Sequence, residues 1–219
     1  LKKNKVSHET IKVVVVGGGH AGCEAAAAAA RLGCKTLLIT NNKDKIGEMS
    51  CNPSIGGLGK GHLVREIDAL DGIIAKAIDD SGIQFRMLNA SKGPAVRGLR
   101  AQADRKLYKK AINKLLKKEK NLIITEKEVI DLKITNKCIK GVILSNGEIV
   151  PCETIVLTTG TFLNGLIHIG KKKISGGRVG EKATFGLSKT FKKYGFNLGR
   201  MKTGTPARIL SDSINYKKL

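Results

Sequence analysis

The order of apolar and polar positions predicts a chain that alternates short strands with helices. Residues 11–16 form a β-branched run, glycines and six consecutive alanines follow it, and residues 35–40 form a second apolar run. β-Branched runs bounded by glycine are typical of buried strands, whereas alanine favours helix. The pattern therefore predicts a strand, a helix over residues 23–32 ending at Gly33, and a second strand, which together make a βαβ unit.

The segment between the first strand and the helix matches the G-x-G-x-x-G pattern of dinucleotide-binding proteins. It consists of Gly17, Gly18, Gly19, His20, Ala21 and Gly22. The first glycine allows a tight turn, the third lets a pyrophosphate approach the backbone, and the last lets the helix pack closely. In this context the pattern predicts a dinucleotide site, with a purely structural turn as the alternative. Asn41 and Asn42 stand where an acidic residue usually binds the ribose, and Asp44 follows slightly later.

The same periodicity predicts the remaining elements of an α/β fold. We expect helices at residues 62–70, 73–78, 101–119 and 184–194, and strands at 83–88, 122–125, 129–134 and 154–160. Residues 139–144 and 148–150 read as a hairpin, and residues 91–100 as a basic loop. Helical spacing puts Leu63, Ile67 and Leu70 on one face of one helix. In another it predicts an apolar stripe of Leu107, Ala111 and Leu115, with Tyr108 and Ile112 beside it.

A second glycine-rich segment carries a lone cysteine. Cys51 precedes Asn52 and Pro53, and four glycines follow between residues 56 and 61. Ile55 and Leu58 argue against a flexible linker, so the segment is interpreted as a cofactor-facing loop. The Cys51 thiol is then a candidate nucleophile or general acid or base, and the alternative is that it only packs against the cofactor.

Composition narrows the class of protein. The chain has 219 residues, 41% of them hydrophobic, which suits a globular core, and a net charge of +22. This charge predicts an anionic partner such as nucleic acid or a membrane surface, although lysines outnumber arginines 31 to 9 and a general lysine bias explains part of it. The five cysteines form no C-x-x-C pair, so we expect no metal site and a reducing compartment. Glycines, His20 and Glu24 interrupt the apolar stretch at residues 13–30, which argues against a membrane span.

With these segments in view, the sequence resembles the glucose-inhibited division protein A family (MnmG/GidA). The resemblance is carried in chain order by Gly17–Gly22, Met49–Gly72, Asn89–Arg105, Thr158–Gly165, Ser175–Gly180 and Gly199–Arg208. The glycine turn alone is generic. The Met-Ser-Cys-Asn-Pro segment and the Ala-Ser-Lys-Gly-Pro-Ala-Val-Arg segment are far more specific.

The resemblance implies a Rossmann-like FAD-binding domain over residues 1–200, with a central parallel sheet and a hairpin or meander insertion. Residues 201–219 would begin an inserted NAD(H)-binding domain, so the chain resembles an N-terminal fragment with most NADH ligands beyond it. FAD is expected on the glycine turn, with further contacts at Val129 and Thr184. Gly160 joins this set because small residues at a strand end let a sheet touch a cofactor closely.

The resemblance also implies an activity. Members modify C5 of the wobble uridine of tRNA with a carboxymethylaminomethyl or aminomethyl group, using FAD, NADH, a folate one-carbon donor and an MnmE-type GTPase. We expect a homodimer in the bacterial cytoplasm, or in an organelle. Cys51 is the candidate catalytic residue. Arg97, Arg100 and Arg105 are candidates for contacts with cofactor phosphate or tRNA backbone, with ordinary salt bridges as the alternative.

Three other functions fit parts of the pattern. A folate- and FAD-dependent tRNA uridine methyltransferase shares the glycine turn and the substrate class, but lacks the Met-Ser-Cys-Asn-Pro segment. A flavin oxidoreductase of the fumarate reductase type leaves the basic charge unexplained. A non-enzymatic tRNA-binding module on a flavin fold leaves the intact glycine turn and Cys51 unexplained.

Overall fold

A parallel sheet of four strands lies at the centre of the fold. The computed structural model describes residues 10–49, 52–204 and 209–218. The helices are α1 (His20–Arg31), α2 (Lys60–Ala69), α3 (Ile73–Asp79), α4 (Arg105–Leu116) and α5 (Leu187–Lys193). The strands are β1 (Val13–Val16), β2 (Thr36–Thr40), β3 (Ser54–Gly56), β4 (Gly82–Leu88), β5 (Gly98–Ala103), β6 (Leu122–Glu126), β7 (Val129–Thr135), β8 (Cys138–Leu144), β9 (Ile149–Pro151), β10 (Thr154–Leu157), β11 (Leu166–Ile169) and β12 (Lys172–Ser175).

The central sheet has the order β10-β1-β2-β6, and all its strands are parallel. Such sheets are covered on both faces, which explains the β-branched, unbroken hydrophobicity of β1 and β2. Helices α1, α3 and α4 pack on one face through a cluster that includes Ala26, Ala27 and Ile112. The alanines of α1 leave no side-chain bulk, so the helix approaches the sheet closely. The predicted βαβ unit is confirmed, although α1 begins earlier than expected, at His20.

An antiparallel meander of β7, β8 and β9 covers the other face of the central sheet. Val142 and Leu144 of β8 are fully buried against Val14 and Ile39. The predicted hairpin is present, because Ile143 pairs with Ile149 across a turn in which Gly147 has a φ of 82°. The meander insertion and the α/β class are therefore confirmed.

A third sheet, of order β3-β5-β4, is the main feature that periodicity missed. Residues 98–103 form its central strand, so the predicted basic loop ends early and the predicted helix does not begin at Ala101. The helix begins at Arg105 because the Asp104 carboxylate accepts hydrogen bonds from the Lys106 and Leu107 amides, both at 2.8 Å. An aspartate N-cap of this kind fixes the start of a helix more strongly than apolar spacing does.

The predicted stripes of the two helices are confirmed only in part. In α4 the buried residues are Tyr108, Ala111, Ile112 and Leu116, whereas Leu107 is half exposed. Leu63 of α2 is exposed, and so is Leu70, the residue after α2. Spacing shows that a helix is amphipathic, but the contact with α3 and the central sheet decides which edge of the stripe is buried.

The later part of the described chain contains little regular structure. Strands β11 and β12 pair only with each other, and α5 is shorter than predicted. After residue 195, the described residues contain only two short 3-10 turns, at Ser211–Ser213 and Tyr216–Lys218. No helix within the described ranges has the length and hydropathy to cross a bilayer. The described residues also contain no cluster of three His, Cys, Asp or Glu side chains able to hold a metal.

A buried carboxylate holds α3 against α1. The Glu24 carboxylate accepts hydrogen bonds from the Ile73 amide at 2.9 Å and from the Ile74 amide at 2.6 Å. The residue before α3, Gly72, has no side chain to cap the helix. Glu24, from α1, therefore accepts the hydrogen bonds of the free amides at the start of α3.

Replacing Glu24 with alanine is expected to lower the free energy of unfolding by about 3 kcal/mol, because two buried amides lose a charged acceptor. Glu24→Gln retains one acceptor oxygen and is expected to cost about half as much. Denaturant titration of the purified protein measures both changes. Glu153→Ala is the control, since Glu153 is exposed. Equal stability of the Glu24 and Glu153 variants would contradict this role.

Candidate cofactor site

A pocket of about 350 Å³ opens beyond the carboxyl ends of the central parallel strands. Its walls include the ends of β1 and β2 and the segment after β10. The chain leaves β1 toward β2 on one side, while β10 lies on the other. Such a topological switch point is where open α/β sheets bind ligands.

The glycine turn forms the floor of this pocket. A Cβ atom at Gly22 would lie 1.7 Å from the Gly17 carbonyl oxygen, so no larger residue fits there. By contrast, a Cβ at Gly19 would meet no atom within 4 Å, and Gly19 lines the pocket. Helix α1 follows directly and has no side-chain cap, so its first amides are available to an anion. Close packing behind the turn and open space in front of it fit the pyrophosphate of a dinucleotide.

The pocket brings together most of the predicted cofactor residues from distant parts of the sequence. It is lined by Gly17, Gly18, Gly19, His20, Val129, Gly160 and Thr184. Ala21 and Gly22 do not line it: Ala21 is exposed, and Gly22 is buried behind the turn. Gly160 has a φ of 55° and open space around it, as a close approach of cofactor requires.

Asn41 occupies the place of the usual ribose-binding carboxylate. Its Nδ2 donates to the Thr184 Oγ1 at 3.5 Å, and both residues line the pocket. The Asn42 side chain instead accepts from the Asp44 amide at 2.8 Å, and Asp44 is not part of the lining. Asn41 and Asn42 both line the pocket, so the amides of this segment replace the usual carboxylate as candidates to bind a ribose hydroxyl.

His20 and Tyr108 form a polar pair at the edge of the pocket. Their rings meet edge to face, and the Tyr108 hydroxyl lies 3.2 Å from the His20 Nδ1. Burial, together with the charges of Lys60 and Arg178, lowers the pKa of His20 to about 4. Burial raises the pKa of Tyr108, so its hydroxyl keeps its proton and shares a hydrogen bond with Nδ1. His20 is neutral at neutral pH, and a neutral imidazole offers one donor and one acceptor nitrogen.

Sequence reasoning placed Lys60 in the glycine-rich, cofactor-facing segment, but it did not assign Arg178 to the cofactor pocket. Both line it, and burial lowers the pKa of Lys60. Arg178 pairs with Glu181 at 3.0 Å and lies over the Phe162 ring at 5.7 Å. Both Arg178 and Phe162 lie in stretches that carried the resemblance, but no spacing rule linked them to the glycine turn.

The candidate catalytic residue, Cys51, lies outside the described residues. On its two sides, Met49 and Asn52 both line the pocket. Among the described cysteines, Cys23 and Cys152 are buried, and burial raises the pKa of Cys152 to about 11. Those two thiols are therefore protonated and unsuited to nucleophilic chemistry.

The three candidate arginines do not line the cofactor pocket. Arg97 donates from Nε to the Ala90 carbonyl at 3.1 Å, which holds the loop between β4 and β5. Arg105 is the first residue of α4. Arg100 lies on β5, where it donates to the Ser54 Oγ and the Gln102 Oε1, both at 3.4 Å.

Comparison with known proteins agrees with this geometry. The sequence model of the family described as "Glucose inhibited division protein A" matches residues 12–219. A curated relative, the tRNA uridine 5-carboxymethylaminomethyl modification enzyme MnmG of Granulibacter bethesdensis, is 57% identical over 210 residues, covering 94% of this chain and 33% of the relative.

Solved structures of GidA and of a GidA-related protein also match this chain. GidA of Aquifex aeolicus is 53% identical, with a TM-score of 0.84 over 90% of this chain and 33% of that one. The GidA-related protein of Thermus thermophilus shares the fold. It is 18% identical, with a TM-score of 0.62 over 86% of this chain and 70% of that one. The present chain spans about a third of the length of its curated relative. The match over almost all of its residues shows that the chain belongs to the glucose inhibited division protein A family.

Proposed function

We propose that the whole protein is an FAD-dependent enzyme that modifies C5 of the wobble uridine of tRNA with a carboxymethylaminomethyl or aminomethyl group. One observation carries this proposal. A pocket floored by an intact glycine turn lies at the switch point of a chain 57% identical to an enzyme named for that modification. The net charge of +22 suits a polyanionic substrate.

The residues of the pocket fit FAD. Gly19 and the first amides of α1 would hold the pyrophosphate, and Asn41 or Asn42 would bind a ribose hydroxyl. His20, Val129, Gly160 and Thr184 would shape the wall. When bound, the flavin supplies the redox chemistry of the reaction. NADH is the proposed reductant, bound mostly by residues after 219, with residues 201–219 as the start of its domain.

Cys51 is the proposed reactive thiol. Uracil C5 is a poor nucleophile until a group adds at C6, and a thiolate can make that bond and leave again when C5 loses its proton. Alternatively, the thiol transfers a proton as a general acid or base. Lys60 lines the cofactor pocket, and a cation near the thiol would favour the thiolate.

The remaining parts of the proposal concern partners. An MnmE-type GTPase, a folate one-carbon donor and a second copy of the chain complete the system, which we place in the bacterial cytoplasm or in an organelle. Arg97, Arg100 and Arg105 are proposed to contact phosphate of the tRNA, since they do not line the cofactor pocket.

Purified full-length protein is expected to be yellow, with a flavin absorption spectrum that NADH bleaches under anaerobic conditions. Absorption spectroscopy with and without NADH measures both properties. Heat-released flavin, identified by chromatography, distinguishes FAD from FMN. A protein that stays colourless after incubation with FAD would contradict the proposal.

A further inference from the structure

The third sheet carries two arginines directly opposite each other. Arg86 of β4 pairs in register with Arg100 of β5, and Gln84 pairs with Gln102. Since side chains alternate across a strand, these four share one face with Ser54 of β3, which pairs with Gln102. We call this set (Ser54, Gln84, Arg86, Arg100, Gln102) the arginine face. Like charges directly opposite each other destabilise a sheet, and an anion bound between them would relieve that repulsion.

No carboxylate of the surrounding segment supplies that anion. Residues 82–103 contain no aspartate or glutamate, yet they carry Arg86, Lys92, Arg97 and Arg100. Within the described parts of the chain, neither Arg86 nor Arg100 has an ion-pair partner. Three of these four cations are arginines, although lysines outnumber arginines 31 to 9 in the chain. Guanidinium differs from ammonium chiefly in binding phosphate or carboxylate oxygens in pairs.

The neighbours of Arg100 hold its guanidinium in place. Its Nη2 donates to the Ser54 Oγ and to the Gln102 Oε1, both at 3.4 Å. Arg86, Arg100 and the two glutamines line a small pocket of about 90 Å³ together with Leu88. One guanidinium is therefore oriented in advance, and the other is exposed beside it.

Ser54 links the arginine face to the cofactor pocket. The Lys60 Nζ donates to the Ser54 carbonyl at 3.4 Å, and Lys60 lines the cofactor pocket. The same serine therefore contacts a cation of each site. The arginine face and the cofactor pocket are therefore joined through a single residue of β3.

We propose that the arginine face binds a phosphodiester of the RNA substrate beside the uridine that enters the cofactor pocket. This inference rests on the proposed function and identifies a phosphate site for the same substrate. Arg86 and Arg100 neutralise the phosphate oxygens, while Gln84 and Gln102 donate amide hydrogens to the same group.

The test compares two double variants of the full-length, FAD-loaded protein. Arg86→Gln/Arg100→Gln removes both guanidinium groups, and Lys110→Gln/Lys114→Gln removes two exposed charges from α4 as a matched control. Fluorescence polarisation gives the tRNA dissociation constant at several salt concentrations. We expect the arginine variant to bind about tenfold more weakly or worse, since it loses charged hydrogen bonds. We also expect its slope of log affinity against log salt to fall by about 1.5.

Affinity and slope equal to those of the lysine control would overturn the inference. The single variant Arg86→Gln guards against misfolding, because Arg86 is exposed, and it is expected to show about half of the change in slope. Flavin content and NADH bleaching are measured on the same samples. If the unaltered protein binds flavin but fails to modify tRNA, the proposed function fails. If it modifies tRNA and only the arginine effect is missing, the phosphate site alone fails.

Discussion

Replacing Cys51 with serine in the full-length protein is expected to abolish tRNA modification while FAD remains bound. The hydroxyl of serine is a far weaker nucleophile and acid than a thiol, so we expect a loss of about 10²–10⁴-fold in turnover. In the proposed site FAD is bound by the glycine turn and the strand ends, and Cys51 belongs to neither segment. Turnover is measured by mass spectrometry of nucleosides after incubation with tRNA, NADH and the proposed partners.

Cys138→Ser is the matched control for the loss of a thiol. Cys138 is exposed on β8 of the meander, and it does not line the cofactor pocket. We expect this variant to retain full turnover. Unchanged turnover of the Cys51 variant would remove the thiol from the chemistry and leave the packing alternative.

Replacing Gly22 with alanine is expected to destabilise the fold and abolish cofactor binding together. The new methyl group would lie 1.7 Å from the Gly17 carbonyl oxygen and 2.8 Å from the Thr158 Oγ1. Backbone must therefore move, which costs more than the usual 1–3 kcal/mol or so of an overpacked core. The shift separates α1 from β1 and distorts the turn that approaches the pyrophosphate. Thermal unfolding and retained flavin measure the two effects.

Gly19→Ala separates packing from cofactor binding. Gly19 has a φ of −76° and open space at its Cβ position, so alanine fits without strain. We expect the variant protein, freed of flavin, to keep its stability to within about 0.5 kcal/mol. Its affinity for FAD should fall by about tenfold or more, equivalent to about 1.4 kcal/mol, because the methyl group occupies the space in front of the turn. Normal FAD affinity in this variant would contradict the assignment of the pyrophosphate to Gly19.

Local sequence signals predicted the half of the site that a single βαβ unit builds. The glycine turn, β1, α1 and β2 follow one another without interruption, so spacing alone is sufficient to place Gly17 and Gly22. The hairpin of the meander could also be predicted from the sequence, because Asn146 and Gly147 before Glu148 are residues that favour a hairpin turn. The residues of each of these elements are close together in the sequence, and the pattern of apolar and polar residues in them matches the pattern of buried and exposed residues in the structure.

The other half depends on contacts between distant segments. Thr184 reaches Asn41 across 143 positions, and Tyr108 reaches His20 across 88. The spacing of apolar residues within one segment carries no information about contacts between segments so far apart. The strand at residues 98–103 was also missed, because its polar face carries Arg100 and Gln102 and its apolar face runs directly into the apolar residues of α4. Only the Asp104 cap separates the two elements, and the pairing of β5 with β3 and β4 decides where the strand ends.

The central claim, that this chain belongs to an enzyme that modifies the wobble uridine, is tested most directly by nucleoside analysis of cellular tRNA. Total tRNA from cells with and without the full-length gene is digested and its nucleosides are measured by mass spectrometry. The proposal predicts that 5-carboxymethylaminomethyl or 5-aminomethyl uridine derivatives disappear when the gene is deleted and return when it is restored. Unchanged levels of these nucleosides would contradict the proposal, and a loss confined to 5-methyluridine would indicate a methyltransferase instead.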